Sequence, residues 1–124
     1  MTDDPPTLLV CINRSSRQYE VFRTAGVFCV NVLSHEHQEL SPIFAGVGDL
    51  PMPERFALSQ WRRLITGAPV LESASASFDC KIDQITEVGT HSVFFCAVKS
   101  IRLGPPAALI YHNRAYHRIH PQAA

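Results

Sequence analysis

The sequence predicts a mainly β domain with short helices, an α+β arrangement in which antiparallel strands form a closed or half-closed barrel. Three observations point there. Residues 7–12 and 27–33 are short apolar runs, rich in β-branched side chains and bounded by turn formers. The second half of the chain holds longer strand-like stretches, and only two small helical stretches interrupt the pattern, after the first and second runs. Two helices are too few for a doubly wound sheet, in which every parallel pair needs its own crossover. With 124 residues, 46% of them hydrophobic, there is material for one domain with a real core, spanning residues 1–124, and not for two.

The first strand, residues 7–12 (TLLVCI), follows Pro5 and Pro6 and is apolar throughout, so it is expected to be buried on both faces. It stops at Asn13. Ser15 and Gln18 stand in the S-x-x-Q spacing of a capping box, and Tyr19, Val21, Phe22 and Ala25 form a helical stripe that Gly26 can end. Residues 27–33 (VFCVNVL) give a second buried strand. Ser34 then opens a helix with Leu40, Ile43 and Phe44 on one face. Pro42 is expected to break that helix, because a proline in a helix interior costs ~3 kcal/mol. A second short turn would follow, closed by Gly46 and Gly48. Residues 45–54 (AGVGDLPMPE) read as a loop without periodicity.

After Trp61, residues 66–71 (TGAPVL) turn into the half with long strands. In residues 76–83 (ASFDCKID), Phe78, Cys80 and Ile82 alternate with Asp79, Lys81 and Asp83, the pattern of a strand with one face in water. The parity slips at Ile85, which points to a β-bulge near Gln84. Val88 and Gly89 make a turn into residues 91–103 (HSVFFCAVKSIRL), a long strand whose centre, residues 93–98, is apolar on both faces. Its outer face must be covered, by a helix or a second subunit. Residues 107–111 form a last core strand, and Asn113 and Arg114 turn the chain back through Tyr116, His117 and Arg118.

Lys and Arg number 11, as do Asp and Glu, so the formal charge is zero and the basic stripe that nucleic acid rewards is missing. Nine of those cations are Arg, which fits recognition of phosphate or carboxylate by planar guanidinium forks, or genomic base composition. The cysteines, Cys11, Cys29, Cys80 and Cys96, each lie inside an apolar run. They resemble small core hydrophobes, reduced thiols in a cytoplasmic protein, more than a disulfide framework. Asp3 and Asp4 stand where a secretory leader would be basic, and the longest unbroken apolar run, residues 93–98, falls short of the ~18 residues of a membrane span. No targeting or transmembrane segment is expected.

Two places could carry chemistry. Asn13, Arg14, Ser15 and Ser16 put an amide, a guanidinium and two hydroxyls at a predicted helix N-terminus, which suits a phosphate or serves as an ordinary N-cap. His91 stands at the head of a strand, where an imidazole at a sheet rim can meet a ligand or play a structural part. His35 and His37 are two apart on a predicted helix and so face different ways, while His112, His117 and His120 lack carboxylate or thiol partners at ligand spacing. No metal is expected. Nucleophile-elbow, zinc-protease, P-loop and dinucleotide-binding motifs are all missing.

Taken in order, DPPTLLVCINRSS, GVFCVNVLS, the R-F-x4-W segment at Arg55 to Trp61, TGAPVLESASASFDCKI, EVGTHSVFF and LIYHNRAYHRI resemble the flavin reductase family from Asp4 to about Ile119. These are NAD(P)H:flavin oxidoreductases of the FMN-binding split-barrel fold, the reductase components of two-component flavin monooxygenases. The resemblance implies a homodimer of antiparallel split barrels that binds FMN or FAD and takes hydride from NADH or NADPH, supplying reduced flavin to a monooxygenase partner. It implies that Asn13, Arg14, Ser15 and Ser16 line the flavin and that His91, in the family's G-[DT]-H motif, sits where flavin and nicotinamide meet. Tyr116 and Arg118 match a C-terminal Y-x-R pair at the same site, and Phe44 and Ala45 match a segment near the flavin phosphate. Members usually carry a helix and two strands ahead of the DPP turn, ~30 residues by usual element lengths, where this chain has MTDD. The resemblance therefore also implies an N-terminally truncated barrel with open edges and weakened flavin binding. The alternative is a non-catalytic module that binds flavin or a protein partner.

Overall fold

The computed structural model describes residues 2–120; residues 1 and 121–124, the ends of the single domain expected from sequence, lie outside the described residues. In chain order the elements are β1 (Thr2–Asp3), β2 (Pro6–Asn13), α1 (Tyr19–Ala25), β3 (Val27–Val32), a 3₁₀ turn (His35–His37), α2 (Leu40–Phe44), α3 (Met52–Phe56), β4 (Trp61–Arg62), β5 (Val70–Leu71), β6 (Ala76–Val88), β7 (His91–Leu103), β8 (Leu109–His112) and β9 (Ala115–Arg118). Five strands form one sheet in the order β1-β2-β7-β6-β3, and β4–β5 and β8–β9 form two-stranded sheets. The pairs β1–β2, β2–β7, β4–β5 and β8–β9 are antiparallel. A mainly β fold with short helices and antiparallel pairing is thus what the chain adopts.

The chain divides into two compact units. The first comprises Met1–Val30, Arg63–Pro69 and Phe78–Ile101. Its core is Tyr19, Cys80, Phe94 and Cys96, with Leu8, Ile12, Phe78, Ile82 and Val98 packed against them. Strand parity explains the set: Leu8 pairs with Cys96, Val10 with Phe94 and Ile12 with Ser92, so these side chains share the inner face. On the outer face Leu9 pairs with Phe95 and Cys11 with Val93. Leu9 is 44% exposed and Cys11 is exposed. The expectation that β2 is buried on both faces, and Cys11 with it, is therefore corrected: a continuous apolar run tells that both faces are apolar, not that both are covered.

The helix after β2 starts later than its capping box suggested. The Oδ1 of Asn13 accepts from the N–H and the hydroxyl of Ser15, both at 2.9 Å, and Ser16 Oγ accepts from the N–H of Gln18 at 3.3 Å. Ser15 is spent on this Asx turn, so α1 begins only at Tyr19, without a side-chain cap. Its end is the expected one: Gly26, at φ 71°, donates to Phe22 O. β6 holds another correction. Asp79, read as solvent-facing, is fully buried. Its carboxylate accepts from the N–H groups of Ile65 (2.8 Å) and Thr66 (2.9 Å) and from the Thr66 hydroxyl. From Asp83 to Val88 every side chain is exposed and β6 runs unbroken through Gln84, so the parity slip at Ile85 meets no burial constraint.

The second unit comprises Asn31–Arg62, Val70–Ser77 and Arg102–Ala124, with a core of Leu40, Leu71 and Ala74 joined by Leu33, Phe44 and Trp61. Pro42 does not break α2. It stands third in a helix that starts at Leu40, where no N–H has an intrahelical acceptor to lose. The loop expected over residues 45–54 is shorter, because α3 starts at Met52 with Pro51 as its N-cap residue and Pro53 in the first turn. Residues 107–111 are not a core strand, since Ile110 and Tyr111 are 37% and 64% exposed. β8 and β9 form a hairpin whose turn residues, Asn113 and Arg114, both have positive φ (52° and 61°).

Candidate functional site

In the first unit the end of β2 and the start of β7 bring two of the sequence candidates together. Asn13 is the register partner of His91, the last pair of the β2–β7 ladder. β6 and β7 are joined by the two-residue turn Gly89–Thr90, where Gly89 supplies φ +56°. Arg14 lies against this turn. Its N–H donates to Thr90 O at 3.0 Å, one guanidinium nitrogen donates to His91 O at 2.6 Å, and the other donates to Gly89 O. The His91 ring is exposed, and its Nδ1 is 2.8 Å from the hydroxyl of Thr90.

Asn13, Ser15 and Ser16 form the facing side of the same corner. With Asn13 Oδ1 occupied by Ser15, the amide nitrogen of Asn13 presents two N–H donors, and Ser16, whose Oγ accepts from Gln18, keeps its hydroxyl proton to give. Ser15 and Ser16 are exposed. The corner thus offers amide and hydroxyl donors. Such a set fits the acceptor groups of a flavin, the ring carbonyls, N1, N5 and the phosphate oxygens.

The other candidates belong to the second unit. Phe44 is in an aromatic trio with Phe56 and Trp61, ring centroids 4.8 to 5.7 Å apart, and Trp61 Nε1 donates to Phe56 O at 2.9 Å. Ala45 ends α2 exposed, its N–H bonded to Ser41 O at 3.0 Å. Tyr116 lies 5.0 Å from Tyr111, and Arg118, exposed, is the register partner of Leu109. His37, set aside in the sequence, is buried: its Nδ1 accepts from the N–H of Ser34 at 3.0 Å and its Nε2 is 2.7 Å from Ser73 Oγ. Burial lowers its pKa below 6.5, against the opposing pull of the Glu36 carboxylate. Thr90 was missed as a partner of His91, although it stands inside the G-T-H motif; Asp79 was missed because period-two alternation assigned it to water. No group of three or more potential metal ligands exists among the described residues.

The fold is thus a mainly antiparallel β domain with a cluster of N–H and O–H donors beside an exposed histidine. The chain belongs to the flavin reductase-like domain family, whose model matches residues 1–120. It is 53% identical over 120 residues to the FMN reductase (NADH) RutF of Variovorax paradoxus (strain S110), covering 96% of this chain and 66% of that protein. To the RutF of Escherichia coli O157:H7 it is 45% identical over 120 residues, covering 96% and 72%. Among solved structures, a Haemophilus somnus 129pt protein taken to be a flavin reductase superposes with TM-score 0.92 at 45% identity, covering 96% of this chain and 76% of that one. BorF, the flavin reductase component of a bacterial two-component tryptophan halogenase, gives 0.88 at 27%, covering 98% and 78%. The chain spans about two thirds of the length of the curated relatives it matches.

Proposed function

We propose that this chain acts as a flavin reductase, with FMN as the flavin and NADH as the hydride donor, the pair named for its curated relatives. The observation that carries the reading is the donor-lined corner: Asn13, which ends β2 in register with His91 at the start of β7, with Ser15 and Ser16 following it. A bound flavin would supply the redox chemistry, as the acceptor of hydride from the nicotinamide. The protein then needs no nucleophile. Its task is to hold two rings about 3–3.5 Å apart and to place donors where negative charge grows. The Asn13 amide N–H groups and the Ser16 hydroxyl bind the acceptor edge. The exposed His91 ring, steadied at Nδ1 by Thr90, would orient or polarise what lies beside it. Phe44, Ala45, Tyr116 and Arg118 stay candidates on the family motif. Reduced flavin would pass to a partner monooxygenase.

Fluorescence quenching of FMN and FAD by the purified chain, followed by NADH and NADPH oxidation, tests the reading. Micromolar FMN affinity with turnover supports it, and binding without turnover favours the non-catalytic alternative. His91→Ala should lower kcat at least tenfold. N13A, which removes one or two hydrogen bonds to the flavin at roughly 1.5 kcal/mol each, should raise the FMN Kd about tenfold or more. An unchanged Kd would remove Asn13 from the site.

The homodimer is also part of the proposal. The outer face of β2 and β7, with Leu9, Cys11, Val93 and Phe95 side by side, is an apolar surface that a second copy would cover. Four cysteines outside any disulfide support a reducing, cytoplasmic setting.

A further inference from the structure

Arg14 entered as a flavin-binding residue on the family motif, yet its side chain is already engaged. Three consecutive carbonyl oxygens accept from this one residue: Gly89 O and His91 O from the guanidinium and Thr90 O from the backbone N–H. Two rigid donors on one plane match two carbonyls that flank a turn, a geometry a lysine ammonium does not reproduce. The turn between them contains Gly89, with the positive φ (56°) that a residue without a side chain adopts most readily. The residue at its exit is His91, whose ring is anchored by the neighbouring Thr90 hydroxyl. Fixing the carbonyls on both sides of Thr90 therefore fixes the backbone from which both side chains of that hydrogen bond project.

We propose that Arg14 is a positioning residue for His91, not a ligand of the flavin phosphate: it locks the Gly89–Thr90–His91 turn to the end of β2, so that the imidazole faces the Asn13–Ser16 corner in one orientation. The proposal rests on the reading of His91 as a site residue. It predicts that the contribution of Arg14 to catalysis passes wholly through His91, and that phosphate recognition does not depend on the guanidinium.

Three measurements on the full chain test this. In the free protein, long-range 1H–15N spectra of the His91 ring should show one fixed tautomer, with R14A and R14Q moving the ring shifts toward the averaged values of a free histidine; unchanged shifts would overturn the proposal. In binding, R14A should change the Kd of FMN and of riboflavin by the same factor, under threefold. A rise of tenfold or more for FMN alone would instead make Arg14 a phosphate ligand. In turnover, R14A should lose at least tenfold in kcat with little change in the KM for NADH, R14K should not restore it, and R14A/H91A should be no slower than H91A. If the double variant is slower by the full product of the two single losses, Arg14 acts independently of His91 and the proposal fails. Should H91A leave the rate unchanged while R14A still shifts the ring resonances, the catalytic reading of His91 falls and the positioning geometry stands.

Discussion

Asp79 shows how far one side chain can hold structure together. Its buried carboxylate accepts three hydrogen bonds from two adjacent residues, Ile65 and Thr66, and so fastens the segment after β4 to β6 near its N-terminal end, within the first unit. Hydrogen bonds to charged groups contribute roughly 1.5–3 kcal/mol each, and the Ile65 and Thr66 groups can partly recover water when the acceptor goes. Asp79→Ala should therefore destabilise by about 3 kcal/mol in urea unfolding, with a drop in midpoint at unchanged slope. The same carboxylate raises the pKa of nearby Cys29. Burial is the larger cause, and the thiol reaches about 11. Cys80 is pushed up to about 12, by burial first and then by Cys96, Cys29 and Asp79, and burial likewise raises Cys96. Thiolate is the species that attacks disulfide reagents, so at pH 8 these three should stay unreactive toward Ellman's reagent until the protein unfolds. Rapid reaction of any of them in the native state would contradict the raised pKa values that their burial gives.

At the scale of elements, the 3₁₀ turn His35–His37 depends on one buried ring. His37 Nδ1 takes the N–H of Ser34 and Nε2 meets Ser73 Oγ, which ties the turn to the segment after β5. A neutral imidazole can accept at Nδ1 only if that nitrogen is unprotonated, and burial accordingly lowers the pKa below the ordinary 6.5. The unfolded chain then binds more protons than the folded one as pH falls below 6.5, so the contribution of this contact is complete above that value and declines below it. Unfolding free energy measured from pH 8 to pH 5 should fall on the acid side, and His37→Gln should flatten that part of the curve. A second test concerns Gly104, where a Cβ would overlap the carbonyl oxygen of Ala74. G104A should cost roughly 1–3 kcal/mol through the backbone shift it forces.

Long strands were legible because periodicity and turn signals agree along them: the bounds of β7, residues 91 to 103, match the sequence reading at both ends, and Gly26 ends α1 as read. The short elements were not. Ser15 has the right spacing for a cap, but the Asx turn of Asn13 competes for the same hydroxyl, and Pro42 is tolerated because the start of α2, not its spacing in a stripe, decides the cost. In the candidate site, residue types were readable and their bonds were not: nothing in N-R-S-S says that Arg14 reaches residues 75 and 77 positions away.

At the scale of the whole molecule, the proposed homodimer rests on the outer face of the β2–β7 ladder. Leu9 opposite Phe95 and Cys11 opposite Val93 leave an apolar strip on a sheet where β2, beyond Thr7, has a strand neighbour on one side only among the described residues. An apolar strip beside an unpaired strand edge favours association, since covering it removes apolar area from water at about 25 cal/mol per Å². Cys11 reports directly on that event, being the one exposed cysteine of the four. If two copies cover the strip, Cys11 should react with Ellman's reagent quickly at sub-micromolar protein and slowly at high concentration, in step with the mass measured by light scattering. Leu9→Lys places a charge in the centre of the strip without touching Asn13, Ser16 or His91. It should hold the protein as a monomer, make the Cys11 rate independent of concentration, and leave the FMN Kd within about twofold if flavin binding is completed within one copy. A much weaker FMN affinity in the L9K monomer would mean that the second copy contributes to the flavin site, and a dimer that survives L9K would mean that another surface joins the two copies.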